Sequence, residues 1–130
     1  MKNFIFNQDV GLLVFRLAIG ITMAFSHGLG KMPPSEQLIT GVTAMGFPVP
    51  VAFAWAAALS EFLGGLLIAG GLFTRYAAAF LGFTMFIAFF KVHAADPFHV
   101  KEMAFLYLAS CALLLFSGAG KLSVDQLMKK

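Results

Sequence analysis

The chain has 130 residues, of which 60% are hydrophobic and only 12% are charged, whereas soluble domains are about 25% charged. A soluble fold of this size would still expose about a third of the surface of its unfolded chain, so the composition excludes a water-soluble globular domain. The net charge of +3 comes from scattered Lys and Arg residues, which excludes a nucleic-acid-binding surface.

Four apolar stretches follow one another along the chain and predict an all-α membrane protein, a bundle of four transmembrane helices. A helix needs about 20 residues to cross the apolar core of a bilayer, so the helices must extend into the flanking polar residues. The expected spans are about 10–30, 49–72, 76–93 and 102–117, within a single domain of residues 1–130. The turn between the second and third spans is so short that we expect these two helices to be antiparallel neighbours.

A short amphipathic segment lies between the first and second spans. Leu38, Ile39, Val42 and Met45 fall on one face of a helix. This spacing predicts a short helix that lies in the membrane interface. A simple connector is the alternative.

The first span carries a stripe of small and polar residues on one face. The stripe consists of Arg16, Gly20, Ala24 and His27, and Lys31 extends it if the helix continues that far. Their spacing of four, four and three residues returns to nearly one direction, because a helix has 3.6 residues per turn. This face is expected to point into the bundle.

The second span carries Glu61 near its midpoint. A charge at the centre of a membrane helix costs at least about 2.5–3.5 kcal/mol, so Glu61 is expected to face inward and to form an ion pair with Arg16. Such a pair either only holds the helices in register or, where the carboxylate is incompletely paired, forms a proton or ligand site.

Three further titratable side chains are expected at one end of the bundle. His27 closes the first span, His93 closes the third and Glu102 opens the fourth. Two histidines on different helices can bind a quinone carbonyl or another polar headgroup; haem or a metal ion is the less favoured alternative. The alternative is that these histidines bind no ligand and are only in contact with water at the mouth of the bundle. Cys111 is the only cysteine, so the chain has no thiol pair or thiolate cluster for redox chemistry of its own.

The basic residues predict the orientation of the bundle. Four spans place both chain termini on one side of the membrane. That side carries Lys2, Arg75, Lys121, Lys129 and Lys130, and the other side carries Lys31, Lys91 and Lys101. Because loops rich in Lys and Arg face the cytoplasm, both termini are expected to be cytoplasmic.

Several motifs together resemble the DoxX family of small bacterial and archaeal membrane proteins over nearly the whole chain. The matching segments are Arg16 to Gly20 with Ser26-His27-Gly28-Leu29-Gly30-Lys31-Met32, then Glu61-Phe62-Leu63-Gly64-Gly65-Leu66-Leu67, Gly70-Gly71-Leu72-Phe73-Thr74-Arg75, His93, Glu102 with Leu106-Tyr107-Leu108, and Gly118-Ala119-Gly120-Lys121-Leu122-Ser123-Val124-Asp125. Ala119 stands where the family often has proline. The resemblance implies a four-helix membrane fold. It also implies partnership with oxidoreductases, because family members include membrane subunits of thiosulfate:quinone oxidoreductase and of complexes that handle thiol or oxidative stress.

These observations lead to one predicted function and two alternatives. The prediction is a multi-pass subunit of the bacterial cytoplasmic (inner) membrane, associated with oxidoreductase or redox-stress complexes and binding a quinone-like ligand inside the bundle. The expected ligand-binding or proton-relay residues are Arg16, His27, Lys31, Glu61, His93 and Glu102. The expected partners are the lipid bilayer and either a protein partner or a second copy of the chain. The alternatives are a small-solute or proton transporter, and a structural membrane anchor for a soluble partner.

An independent enzyme is the least favoured function. The chain shows no nucleophile, base and orienting residue at a recognisable spacing, and it shows no metal motif. We therefore expect at most a non-catalytic subunit of a quinone-linked oxidoreductase.

Overall fold

The computed structural model describes residues 5–129, and four helices in that part of the chain are long and apolar enough to cross a membrane. These spans are Gln8–Lys31, Pro50–Gly70, Thr74–Val92 and Phe98–Ser117. The predicted all-α bundle of four membrane helices is confirmed. Two of the residues that predict the orientation, Lys2 and Lys130, lie outside the described residues.

The first span combines three kinds of helical turn. Helix α1, Gln8–Thr22, continues as a π-helical turn, Met23–Gly28, and then as a 3-10 turn, Leu29–Lys31. A π-helical turn contains one more residue than an α-helical turn and therefore shifts the faces of the helix beyond it. As a result Gly28, and not His27, is the buried residue that continues the stripe.

The first span crosses helix α3, Pro50–Gly70, in backbone-to-backbone contact. A Cβ atom added to Gly20 would overlap the carbonyl oxygen of Gly65 and would lie 2.6 Å from the backbone nitrogen of Ala69. A Cβ atom added to Gly28 would likewise overlap the backbone nitrogen of Phe62. Small residues are what allow two membrane helices to approach this closely, since lipid supplies no hydrophobic force to drive them together.

Gly20→Ala is expected to destabilise the bundle by about 1–3 kcal/mol, because the added methyl group must push the two helices apart. Gly11→Ala on the same helix is the matched control, since nothing lies within 4 Å of the position of its Cβ atom. That change is expected to be neutral or to stabilise the helix by up to about 1 kcal/mol. Unfolding in detergent, followed by circular dichroism, measures both; equal stability of the two variants would contradict the close crossing.

Helix α2, Glu36–Ala44, connects the first two spans. The hydroxyl oxygen of Ser35 accepts a hydrogen bond from the N–H of Leu38 and caps its first turn. Val42 is buried, and the helix packs on α3. The predicted short amphipathic helix is therefore present, and it closes one side of the bundle.

The remaining spans complete the core. Helix α4, Thr74–Ile87, continues as a second π-helical turn, Ala88–Val92, and helix α5 is Phe98–Ser117. Helix α3 packs against α1 on one side and α4 on the other, and α4 packs against α5. The central apolar cluster consists of Met23, Ile68, Ala77, Ala78, Leu81, Met85, Ala104, Tyr107, Cys111 and Leu114.

The chain reverses sharply between α3 and α4, as predicted for antiparallel neighbours. Gly71 ends α3 with a φ of 71°, a left-handed conformation that glycine adopts without strain. A last short helix, α6, Val124–Leu127, folds back against this turn. The N–H of Asp125 donates to the carbonyl oxygen of Gly71 at 2.8 Å.

Candidate functional site

Lys31 and Glu61 form an ion pair inside the bundle. The Nζ atom of Lys31 lies 2.8 Å from Oε1 and 2.7 Å from Oε2 of Glu61. Gly28 sets this contact, because its missing side chain lets the first span lie directly against the backbone of Glu61 and Phe62. The Glu61 side chain is 3% exposed and the Lys31 side chain is 43% exposed. The ammonium group therefore neutralises a buried carboxylate and links it to the surface.

Arg16 does not pair with Glu61, so the predicted Arg16–Glu61 ion pair is wrong. The fully buried guanidinium instead donates hydrogen bonds to three carbonyl oxygens, those of Ile68, Ala69 and Leu122. Because α1 and α3 are antiparallel, Arg16 lies beside the last turn of α3. Glu61 lies eight residues before Ala69, about 12 Å away along the helix at 1.5 Å per residue. Carbonyl groups in a last helical turn lack helical partners and attract a cation.

Asp125 stands at the same end of the bundle as Arg16 and is attracted to it electrostatically. Its carboxylate accepts hydrogen bonds from the N–H groups of Phe73, at 2.7 Å, and Thr74, at 3.0 Å, which cap the start of α4. Burial acts to raise the pKa of Asp125. These hydrogen bonds and the nearby Lys129 together lower it by a larger amount, so the pKa lies below its usual value. This end of the bundle is thus a structural junction of α1, α3, α4 and the C-terminal segment.

A cavity of about 360 Å³ lies beside the Lys31–Glu61 pair, between α2, α3 and α4. Its lining is mostly apolar. The lining residues are Lys31, Leu38, Val42, Met45, Phe47, Phe53, Ala56, Ala57, Ser60, Glu61, Phe80, Phe83, Thr84, Ile87, Ala88, Val92 and His93. A mostly apolar cavity with a few polar groups, in the range of about 300–1,000 Å³, is typical of a small-molecule site.

Two hydroxyl groups form a second polar element of the cavity. The Oγ atom of Ser60 and the Oγ1 atom of Thr84 lie 2.7 Å apart. The carbonyl oxygens of Ala57 and Phe80 lie within hydrogen-bonding distance as well, 2.7 Å from Ser60 and 3.2 Å from Thr84, so the two hydroxyl protons have three acceptors to choose from. Because both hydroxyl protons have acceptors in the protein, the pair offers lone pairs to a ligand that donates a hydrogen bond.

The three remaining candidate residues are placed differently from one another. His93 lines the cavity, and its Nδ1 atom lies 2.8 Å from Oδ2 of Asp96. The ring of His27 packs edge-on against Tyr107, with 5.9 Å between ring centroids, and Glu102 is exposed on α5. The structure thus brings Lys31, Glu61 and His93 to one cavity, whereas Arg16, His27 and Glu102 do not line it. Within residues 5–129, no three His, Cys, Asp or Glu side chains gather into a group that could hold a metal ion.

Sequence reasoning missed Ser60 and Thr84 because it followed charged residues only. A signal was present: hydroxyl side chains lie within two adjacent spans, one of them next to Glu61 in the sequence. Asp125 was missed for a different reason. It lies in a polar terminal segment, where an acidic residue is unremarkable until the segment is seen to fold back on α4.

Comparisons with known proteins place the chain among bacterial membrane proteins. A family model described as DoxX matches residues 11–94. The Escherichia coli (strain K12) protein named "Inner membrane protein YqjF" is 32% identical over 131 residues, which cover 95% of each chain. The Bacillus subtilis (strain 168) protein named "Putative oxidoreductase CatD" is 31% identical over 123 residues, which cover 94% of this chain and 90% of the relative. No solved structure matches the chain.

Proposed function

Since this chain belongs to the DoxX family of membrane proteins, we propose that it is a membrane subunit of a redox system and binds a quinone-like ligand in the cavity beside Lys31 and Glu61. The observation that carries the proposal is an ammonium–carboxylate pair lining an apolar cavity inside a membrane bundle. The name of the Bacillus subtilis relative, which describes an oxidoreductase, supports the redox assignment.

Lys31 has the chemistry to bind a carbonyl oxygen. An ammonium group has three N–H donors, and among the described residues Lys31 uses two of them on Glu61. The third remains for a ligand at the cavity wall. In an apolar cavity, a hydrogen bond from a cation is about twice as strong as one between neutral groups. Lys31 would therefore fix the polar ring of the ligand at one end of the cavity.

The Ser60–Thr84 pair complements Lys31. It accepts hydrogen bonds, whereas Lys31 donates them, so the cavity suits a ring that carries a carbonyl in one redox state and a hydroxyl in the other. A bound quinone supplies this chemistry by taking up two electrons and two protons. In our proposal the electrons come from an oxidoreductase partner, and Lys31, Glu61 and His93 hold or pass protons at the cavity wall.

The cavity is open to ligands that arrive through the lipid. Phe80 and Phe83 line it, yet they are 70% and 58% exposed on α4. In a membrane span an exposed apolar side chain faces lipid. A ligand with an isoprenoid tail can therefore insert its ring between α2 and α4 and leave its tail in the bilayer.

Ala57→Phe tests the proposal by placing a ring inside the cavity. Ala57 lines the cavity, whereas Ala79 is exposed on α4 and does not, so Ala79→Phe is the matched control. Trp55, the only tryptophan, is a neighbour of the cavity-lining Ala56, and quenching of its fluorescence by a short-chain quinone reports binding. We expect saturable quenching in the original protein and in Ala79→Phe, with affinity at least about tenfold lower in Ala57→Phe, or about 1.4 kcal/mol.

The result that would sink the quinone proposal is quenching that never saturates, or that is equal in the two variants. Quinone dissolved in the detergent micelle would then explain the signal. The structural-anchor function would gain weight, because an anchor needs the bundle and not the cavity.

We also propose that the protein lies in the bacterial inner membrane with both termini in the cytoplasm, because more of the Lys and Arg residues fall on that side of the spans. A reporter that is active only in the cytoplasm, fused to the C-terminus, is expected to be active. The electron-donating partner would bind an end of the bundle, at one of the two surfaces of the membrane.

A further inference from the structure

A second concavity lies at the end of the bundle where α1 begins and α5 ends, far from the Lys31–Glu61 cavity. This terminal groove has a volume of about 480 Å³. It is lined by Asp9, Phe73, Thr74, Arg75, Tyr76, Ser117, Gly118, Ala119, Gly120, Lys121, Asp125, Gln126, Met128 and Lys129. No lining residue is shared with the cavity, so the two sites are separate.

The two acidic residues of the terminal groove are occupied by the protein itself. Asp9 accepts a hydrogen bond from the backbone N–H of Lys121 at 2.9 Å. The carboxylate of Asp125 caps α4 through two backbone N–H groups, and its charge is also attracted to the buried Arg16. Both carboxylates are therefore engaged by backbone N–H groups and serve the fold.

The basic residues of the groove are less committed. Arg75, Lys121 and Lys129 are all exposed, and none of them forms an ion pair within the part of the chain that the structure describes. Arg75 donates to the carbonyl oxygens of Leu115 and Phe116, at 3.1 and 3.3 Å, which fixes its guanidinium at the rim. In the same residues no side-chain hydrogen bond or ion pair holds the ammonium groups of Lys121 and Lys129, although Lys129 lies near enough to Asp125 to be attracted to it; both can still reach an anion.

Two large aromatic side chains lie at the groove, one in its lining and one beside it. Tyr76 on α4 and Phe116 on α5 are 72% and 86% exposed, and both lie at the ends of their spans. At this level of a membrane protein, aromatic side chains meet the boundary between headgroups and acyl chains. A soluble anion would use the lysines and leave the aromatic side chains without a partner, whereas a phospholipid would contact both.

We propose that the terminal groove binds the headgroup of an anionic phospholipid. The phosphate lies against Lys121 and Lys129, and the acyl chains run along Tyr76 and Phe116. Basic pockets between membrane helices bind anionic headgroups, because water screens the attraction between the lysines and the phosphate less there than in bulk solution. This site is independent of the quinone proposal. Its consequence is that lipid would tie the C-terminal segment to the ends of α4 and α5.

The test uses the full chain in a neutral detergent and counts retained lipids by native mass spectrometry. Phosphatidylglycerol is added in one series and phosphatidylcholine in another. Lys121→Gln/Lys129→Gln removes the two cations of the groove. Lys91→Gln/Lys101→Gln is the matched control, because it removes the same charge from the opposite end of the bundle. Three of the four lysines are exposed and Lys101 is half-buried, so the variants are expected to fold. Circular dichroism checks this.

We expect the original protein and the control variant to retain one phosphatidylglycerol at least about tenfold more tightly than phosphatidylcholine. The groove variant is expected to bind the two lipids equally. Equal retention of phosphatidylglycerol by both variants would overturn the site. Displacement of the lipid by inorganic phosphate at millimolar concentration would overturn the lipid assignment, because it would show that the groove recognises a free anion.

Discussion

Replacement of Arg16 by methionine is expected to lower the free energy of unfolding in detergent by about 3–5 kcal/mol, because more than one buried carbonyl oxygen loses a charged donor at a cost of about 1–3 kcal/mol each. The guanidinium is fully buried and holds the carbonyl oxygens of Ile68, Ala69 and Leu122. Methionine fills much of the space but donates no hydrogen bond. The carbonyl oxygen of Ile68 would keep the N–H of Gly71 at 3.1 Å, but those of Ala69 and Leu122 would lose the donor that Arg16 supplies, and with it the contact to the C-terminal segment.

Arg75→Gln is the matched control for this change. Arg75 also donates to carbonyl oxygens at a helix end, those of Leu115 and Phe116, but its side chain is exposed. Water can replace its hydrogen bonds, so a cost of about 1 kcal/mol or less is expected. Equal costs for Arg16→Met and Arg75→Gln would show that Arg16 does not hold the junction. Folded Arg16→Met protein should still bind the quinone probe, because Arg16 does not line the cavity.

Lys31→Met is expected to destabilise the protein more than Glu61→Gln, although the two changes break the same ion pair. Lys31→Met leaves a carboxylate that is 3% exposed without its cation, at a cost of about 3 kcal/mol, the lower end of the range for breaking a buried pair. Glu61→Gln leaves a lysine that is 43% exposed, whose ammonium group can turn toward water. The difference in exposure, and not the pair itself, sets the order of the two effects.

The double variant Lys31→Met/Glu61→Gln completes a thermodynamic cycle. It is expected to be more stable than Lys31→Met alone, because no buried charge is left unpaired. Chemical denaturation in detergent gives the three stabilities. Identical losses for the two single variants would contradict the role of exposure, and a double variant with the sum of their losses would contradict the pairing. In the quinone assay, Lys31→Met should lose affinity at least about tenfold, as one charged hydrogen bond supplies about 1.5–3 kcal/mol.

The positions of the helices could be predicted because their signals are local. A long apolar helix is stable inside the membrane whichever helices it packs against, so length and hydropathy suffice to find a span. The fourth span nevertheless begins at Phe98, earlier than the predicted start at 102. Pro97 explains the difference, since proline suits the position immediately before a helix, and the polar residues that follow it belong to the first turn.

The candidate site was only partly predictable. Lys31 and Glu61 were both identified, since charges within or beside spans are expensive and need a partner. The choice of partner depends on the register of two helices, which a single helical face does not reveal. The sequence therefore led to Arg16 as the partner of Glu61, and the antiparallel crossing at Gly20 and Gly28 brought Lys31 there instead.

By itself, then, the sequence determined the all-α membrane fold, the amphipathic helix between the first two spans and the family resemblance, because hydropathy and helical spacing act over a few residues. Only the tertiary structure decided which charges meet, which histidine faces the cavity and where the hydroxyl groups of Ser60 and Thr84 converge. The physical reason is that a π-helical turn shifts a helical face by a residue, and close backbone contact between α1 and α3 then fixes their register. Both effects arise where helices pack together.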